Sequence, residues 1–147
     1  MSETIETTTL RQVREATVRE HVDAENRHDP DATVATFSAS RARYDIPAMG
    51  PNGDVPGHDA VRALLQGMFD VFPDFHVEPG LLRHGDDHVL VEVTLTGTQA
   101  ADWAGIRNTG RSFATRLAAV FDFEEDQLVC ERVYMDFGDI ARQLAEP

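Results

Sequence analysis

The residues of this chain best suited to acid–base chemistry stand together near its C-terminal end, in the run Glu131-Arg132-Val133-Tyr134-Met135-Asp136. With a period of two, Leu128, Cys130, Arg132, Tyr134 and Asp136 share one face, and Val129, Glu131, Val133, Met135 and Phe137 share the other. Neither face is purely apolar. An unpaired buried charge is costly, so a strand that only fills a core does not place Arg, Tyr and Asp in register. Two readings follow from the residues alone. Either this face lines a partly wet pocket, with Asp136 as a base and Tyr134 as a hydrogen-bond donor, or it is a surface face carrying an ordinary Arg–carboxylate pair.

Other chemistry-bearing residues are weaker candidates. His84 and His88 flank Asp86 and Asp87 in a turn; the group has the makings of a metal site, but an exposed polar turn explains it equally, and no metal is assigned. His21 lies at the edge of an apolar helical stripe and reads as a core-border histidine rather than a ligand. Cys130 is the only cysteine, which excludes an internal disulfide, and its strand setting points to packing.

Thirteen basic residues, all Arg, stand against 26 acidic ones, a formal charge of −13. Such a field disfavours nucleic acid and anionic membrane surfaces as partners. A lysine-free acidic composition fits a GC-rich genome or a high-salt setting; the salt reading expects stability to rise between low and molar salt. The 147 residues fit one domain, and 41% hydrophobic content is enough for a core. Residues 1–9 are expected to be a flexible N-terminus, followed by a single domain over 10–147. They lack the apolar run of a signal peptide, and no segment approaches membrane-spanning length, so a cytoplasmic protein is expected.

The elements that must position these residues follow from periodicity. Leu10, Val13, Val18 and Val22 fall on one stripe of a helix over 10–27, with Thr7, Thr8 or Thr9 as cap. Asp29-Pro30 opens a short helix. Alternation over 41–46 predicts a strand with Tyr44 inward, and 47–57 reads as a turn-rich loop. The segment 58–72 is strongly helical, with Val61, Leu64, Leu65, Met68, Phe69 and Phe72 on its apolar face, and Pro73 stops it. From there the period becomes two: strands over 75–83, 88–98, 112–123 and 128–136, then a closing helix over 139–144. Helices first and an antiparallel meander afterwards make an α+β fold, whose curved sheet and covering helices enclose a cone with an open mouth.

Four patches resemble the SnoaL-like polyketide cyclases of the NTF2-like superfamily. They are Phe72-Pro73-Asp74-Phe75-His76; Gly97-Thr98-Gln99 followed by the run from Trp103 to Arg111; Glu131 to Asp136; and Ile140-Ala141-Arg142-Gln143-Leu144. The resemblance implies an NTF2-like cone and a homodimer. It also implies cofactor-independent intramolecular aldol closure of a hydrophobic, polyketide-like small molecule, with Asp136 as general base. It departs at Gln99 and Arg116, where such cyclases often carry His. Arg116 and Tyr134 are then expected beside Asp136, with Tyr44, Phe69, Phe72, His76, Gln99 and Trp103 as substrate contacts. The alternatives are a non-catalytic small-molecule-binding or dimerisation domain, and an isomerase or epoxide hydrolase on the same scaffold, the last drawing on Asp45, Arg116 and Asp136.

Overall fold

The computed structural model describes residues 9–145. Of the expected flexible terminus, residues 1–8 therefore lie outside the described part. Thr9 itself caps the first helix, α1 (Leu10–Asn26): its side chain accepts from the Gln12 amide, and the Gln12 side chain accepts from the Thr9 amide in return. Asp29 caps α2 (Pro30–Val34) through the Ala32 amide, with Pro30 at the first helical position.

Three-residue strands β1 (Arg43–Asp45) and β2 (Asp54–Pro56) bracket a 3₁₀ segment, Pro47–Gly53, where the sequence suggested only a loop. Gly53 is required there. A Cβ at this position would lie 2.0 Å from the Ile46 carbonyl oxygen. Helix α3 (His58–Val71) buries Val61, Leu65 and Phe69, each such side chain contributing about 1.5–3 kcal/mol on full burial. Strands β3 (His76–His84), β4 (His88–Thr98), β5 (Ser112–Glu124) and β6 (Gln127–Tyr134) then run as an antiparallel meander, and α4 (Phe137–Ala145) closes the chain.

The sheet order is β2-β1-β6-β5-β4-β3, with β1 parallel to β6 and every other pair antiparallel. Odd-numbered residues of β4 and β5 face inward, among them Val91, Val93, Phe113 and Phe121. The expected NTF2-like cone of α+β class is the fold observed. No helix among the described residues is long and apolar enough to cross a membrane.

One local feature overturns a sequence expectation. Phe123 pairs with Leu128 but Asp122 pairs with Cys130, so β6 carries one extra residue at a bulge. The bulge puts Leu128 on the core face together with Glu131, Val133 and Met135. Cys130, Arg132 and Tyr134 are turned outward. A strict period of two through the whole run, as the sequence suggested, groups Leu128 with the wrong set.

Candidate active site

Between the sheet's inner face and helices α1 and α3 lies an apolar cavity offering about 80 Å³ to the centre of a water molecule. That is room for several waters or one compact ligand. Its walls come from α3, β4 and β5, including Leu65, Phe72, Leu95, Phe113 and Phe121. Met49, Met68, Trp103 and Met135 also line it and are only half-buried, which marks them as the rim. Methionines there make a soft edge that adapts to ligand shape.

The floor is polar and almost sealed. His21 and Glu25 are four residues apart on α1, which places both on its inner face. Tyr44 on β1 stands opposite Glu131 on β6 in the parallel ladder. Relative exposures are 0% for His21, 6% for Glu25, 4% for Tyr44 and 6% for Glu131. The Tyr44 hydroxyl lies 3.0 Å from Glu25 Oε2 and 2.9 Å from His21 Nε2. His21 Nε2 is 2.7 Å from Glu131 Oε1 and 3.8 Å from Glu25 Oε2. On the opposite side of the ring, Nδ1 meets Thr36 Oγ1 at 2.8 Å.

Burial dominates the electrostatics. It pushes the Glu25 carboxyl up to about 7, with the Glu131 charge adding to the rise and His21 and Tyr44 opposing it. For His21, burial works against the imidazolium, but Glu25 and Glu131 together outweigh it and hold its pKa above the ordinary value. Burial, then the two carboxylates, keeps the Tyr44 phenol protonated far above its usual range. No arginine lines the cavity among the described residues. Glu25, Tyr44 and Glu131 thus make a floor of two carboxylates and one phenol, backed by the His21 imidazole behind them, a proton-sharing group with a carboxyl poised near neutrality. His21, Glu25 and Glu131 are also the one group of three possible metal-ligating side chains among the described residues.

The sequence-derived candidates divide between this cavity and the outside. Tyr44, Phe72 and Trp103 line the cavity, and Trp103 packs edge-on against Phe72 at 5.2 Å. Phe69 is buried but faces His28, its ring stacked at 4.7 Å, and does not line the cavity. Gln99 is spent on the loop: its amide donates to the Ile106 carbonyl and accepts from the Thr109 amide. His76 is exposed beside Glu78.

Arg116, Tyr134 and Asp136 do come together, but in an open depression on the outer face of the sheet, shared with Glu92. Arg116 is there because inward positions on β5 are odd-numbered, and Tyr134 because of the β6 register, which leaves it 51% exposed. Asp136 is exposed, and its carboxylate accepts from the Asp139 amide at 3.0 Å as the N-cap of α4. The Asp45–Arg116–Asp136 set does not form either. Asp45 pairs instead with Arg132, which also reaches Asp122 at 2.7 Å on the outer face. His84 and His88 bond apart, to Glu15 and to Asp87. An Asp136→Ala variant is expected to lose about 1 kcal/mol of stability in a denaturant titration, from the missing cap, and to keep its ligand binding.

His21, Glu25 and Glu131 went unselected in the sequence. Their signals were a His and a Glu four apart on an apolar helical stripe, and a Glu flanked by Val129 and Val133 on one strand face.

Comparison with known proteins places this geometry. At the level of fold, the chain matches a protein provisionally named a SnoaL-like polyketide cyclase from Jannaschia sp. CCS1, at 19% identity and TM-score 0.82, over 96% of this chain and 97% of that one. A provisionally named polyketide cyclase from Xanthomonas campestris pv. campestris matches at 24% identity and TM-score 0.82, over 93% and 100%. An NTF2-like protein of unknown function from Burkholderia pseudomallei matches at 23% identity and TM-score 0.75, over 90% and 98%. No curated protein is significantly similar to the chain. The SnoaL-like domain model matches residues 18–131, a span that holds all four residues of the cavity floor. The chain therefore belongs to the SnoaL-like domain family, on an NTF2-like fold.

Proposed function

We propose that the protein is an acid–base catalyst of the polyketide-cyclase type, closing a ring in a hydrophobic small molecule by intramolecular aldol addition, with Glu25 as the general base. The observation that carries this reading is a carboxyl with its pKa pushed up to about 7 at the floor of a largely apolar cavity. A base of that strength takes a proton from a carbon flanked by two carbonyls near neutral pH, and the match of its pKa to the working pH favours the transfer. The enolate carbon then attacks a carbonyl carbon of the same molecule, and the alkoxide formed takes a proton back. Flanking carbonyls acidify the carbon, so the reaction draws on no metal or organic cofactor; the cavity's part is to hold the two carbons close and to exclude water. Two neighbours of the same fold carry polyketide-cyclase names, in keeping with this reading.

The test uses a hydrophobic aryl β-keto ester deuterated between its carbonyls. Loss of label at pH 7 faster with protein than in buffer alone is expected. Exchange no faster than buffer, with the ester shown to bind, would contradict the reading and leave a non-catalytic binding domain. That second reading draws on the compactness of the cavity and on a structural neighbour from Catenulispora acidiphila, a protein with a ketosteroid isomerase-like fold in complex with trimethylamine. A homodimer is part of the proposal, with the outer sheet face bearing the half-exposed Tyr134 as its interface; sedimentation of a monomer alone would contradict it.

A further inference from the structure

We propose that Glu25, Tyr44 and His21 form a proton relay that parks the abstracted proton on the His21–Glu131 pair, with Thr36 as the positioning residue that fixes its direction. The proposal rests on the reading of Glu25 as base and adds four residues to it, Tyr44, His21, Glu131 and Thr36.

The hydrogen positions follow from the partners. A carbonyl only accepts, so the 2.6 Å contact between Thr36 Oγ1 and the Thr33 carbonyl uses the one hydroxyl hydrogen of Thr36. The Thr36 oxygen can then only accept from His21, so Nδ1 carries a hydrogen in every charge state. Nε2 is left as the exchanging nitrogen. It faces the Tyr44 oxygen at 2.9 Å and Glu131 Oε1 at 2.7 Å, and that carboxylate oxygen has no hydrogen-bond partner in line with it.

Tyr44 has one hydroxyl hydrogen and two neighbours, Glu25 Oε2 and His21 Nε2. Two arrangements satisfy all three residues. In the first, Tyr44 donates to the Glu25 carboxylate and the His21 imidazolium donates to Tyr44. In the second, protonated Glu25 donates to Tyr44, and Tyr44 donates to neutral His21. Both hold the same number of protons, and two short hydrogen shifts interconvert them without moving a heavy atom. In both arrangements Glu131 stands beside Nε2, where it favours the imidazolium of the first.

The reaction starts from the group holding one proton fewer than either arrangement, with Glu25 a carboxylate, Tyr44 a phenol and His21 a neutral imidazole. The substrate C–H proton passes to the Glu25 carboxylate and produces the second arrangement. Glu25 then gives a proton to the Tyr44 oxygen while the Tyr44 proton passes to Nε2, which restores the Glu25 carboxylate and leaves imidazolium against Glu131. His21 is fully buried and does not line the cavity, so the stored proton is out of reach of both substrate and water. That separation keeps an acid from standing beside the enolate and returning the proton to carbon before the ring closes. Reversing the two shifts delivers a proton to the alkoxide.

The test is proton-detected NMR of the full chain labelled with ¹⁵N-histidine, His21 being assigned by its loss in a His21→Gln variant. Nδ1 is expected to stay protonated from pH 5 to 9, with Nε2 alone titrating. Glu25→Gln is expected to move the Nε2 midpoint by about one pH unit or more, and this shift should shrink several-fold in a Tyr44→Phe background. Thr36→Val should let the ring adopt the opposite tautomer, and Thr36→Ser should restore the original one. An unprotonated Nδ1 in the wild type, or an equal Glu25→Gln shift with and without the Tyr44 hydroxyl, would overturn the relay. The readout is independent of turnover: coupled titration without catalysed deuterium exchange supports the relay while removing Glu25 as the base, and uncoupled titration with intact exchange removes only the relay.

Discussion

Glu25→Gln is expected to slow catalysed deuterium exchange about 10²–10⁴-fold, the usual contribution of a general base, while leaving the protein at least as stable as the wild type at pH 8. Glutamine keeps an oxygen for the Tyr44 hydroxyl and removes a charge that burial disfavours. The pH dependence follows from the direction of the shift. The ordinary Glu value is 4.5 and the folded value about 7, so between them the native protein holds a proton that the unfolded chain has lost. The stability this proton contributes is fully present below about pH 4.5 and is lost as pH rises through 7. His21, raised from 6.5, behaves in the same sense: its contribution is present below 6.5 and is lost as pH rises through its folded value. The melting temperature of the wild type should therefore fall from pH 5 to pH 8, and Glu25→Gln should flatten the lower part of that slope. A variant with wild-type exchange, or with an unaltered slope, would remove Glu25 from its assigned role.

The largest stability effect is expected at His21. Its removal leaves Glu25 and Glu131 facing each other in the core without the imidazole between them, and breaking a buried ion pair on one side costs about 3–5 kcal/mol. Edge-on packing of the ring against Phe37 and Phe121, at 5.5 Å and 5.3 Å, adds to the loss. Urea unfolding of His21→Ala at pH 6, where the wild-type imidazole is protonated, should show this loss, and adding Glu131→Gln should recover part of it, since the orphaned charge is then gone. A cost below about 1 kcal/mol in His21→Ala would mean that the cluster is not held together by charge.

Much of the fold was legible because its signals are local. The Thr9 and Asp29-Pro30 helix starts, the apolar face of α3 and the change to period two after Pro73 each act within a few residues, and the elements lie close to where those signals put them. The inward turn of Tyr44 was legible for the same reason. The polar floor was not. The β6 bulge is set by pairing with β5, which no residue within β6 announces, and it decides which carboxylate of the Glu131–Asp136 run enters the core. Asp136 falls two residues beyond the strand's end, where the start of α4 claims its side chain as a cap. His21 and Glu25 resemble an ordinary helical border until β1 and β6 bring Tyr44 and Glu131 against them, a meeting of segments more than a hundred residues apart for α1 and β6. The resemblance to SnoaL-like cyclases named the family correctly, but its base position maps onto the outer surface here.

The most direct test is a crystal structure of the protein with the aryl β-keto ester bound. The acidic carbon is predicted to lie inside the cavity against the Glu25 carboxylate, with the aryl group among Phe72, Phe113 and Trp103. Ester density confined to the outer depression of Arg116, Tyr134 and Asp136, with the cavity unchanged, would contradict the account and return the chemistry to Asp136.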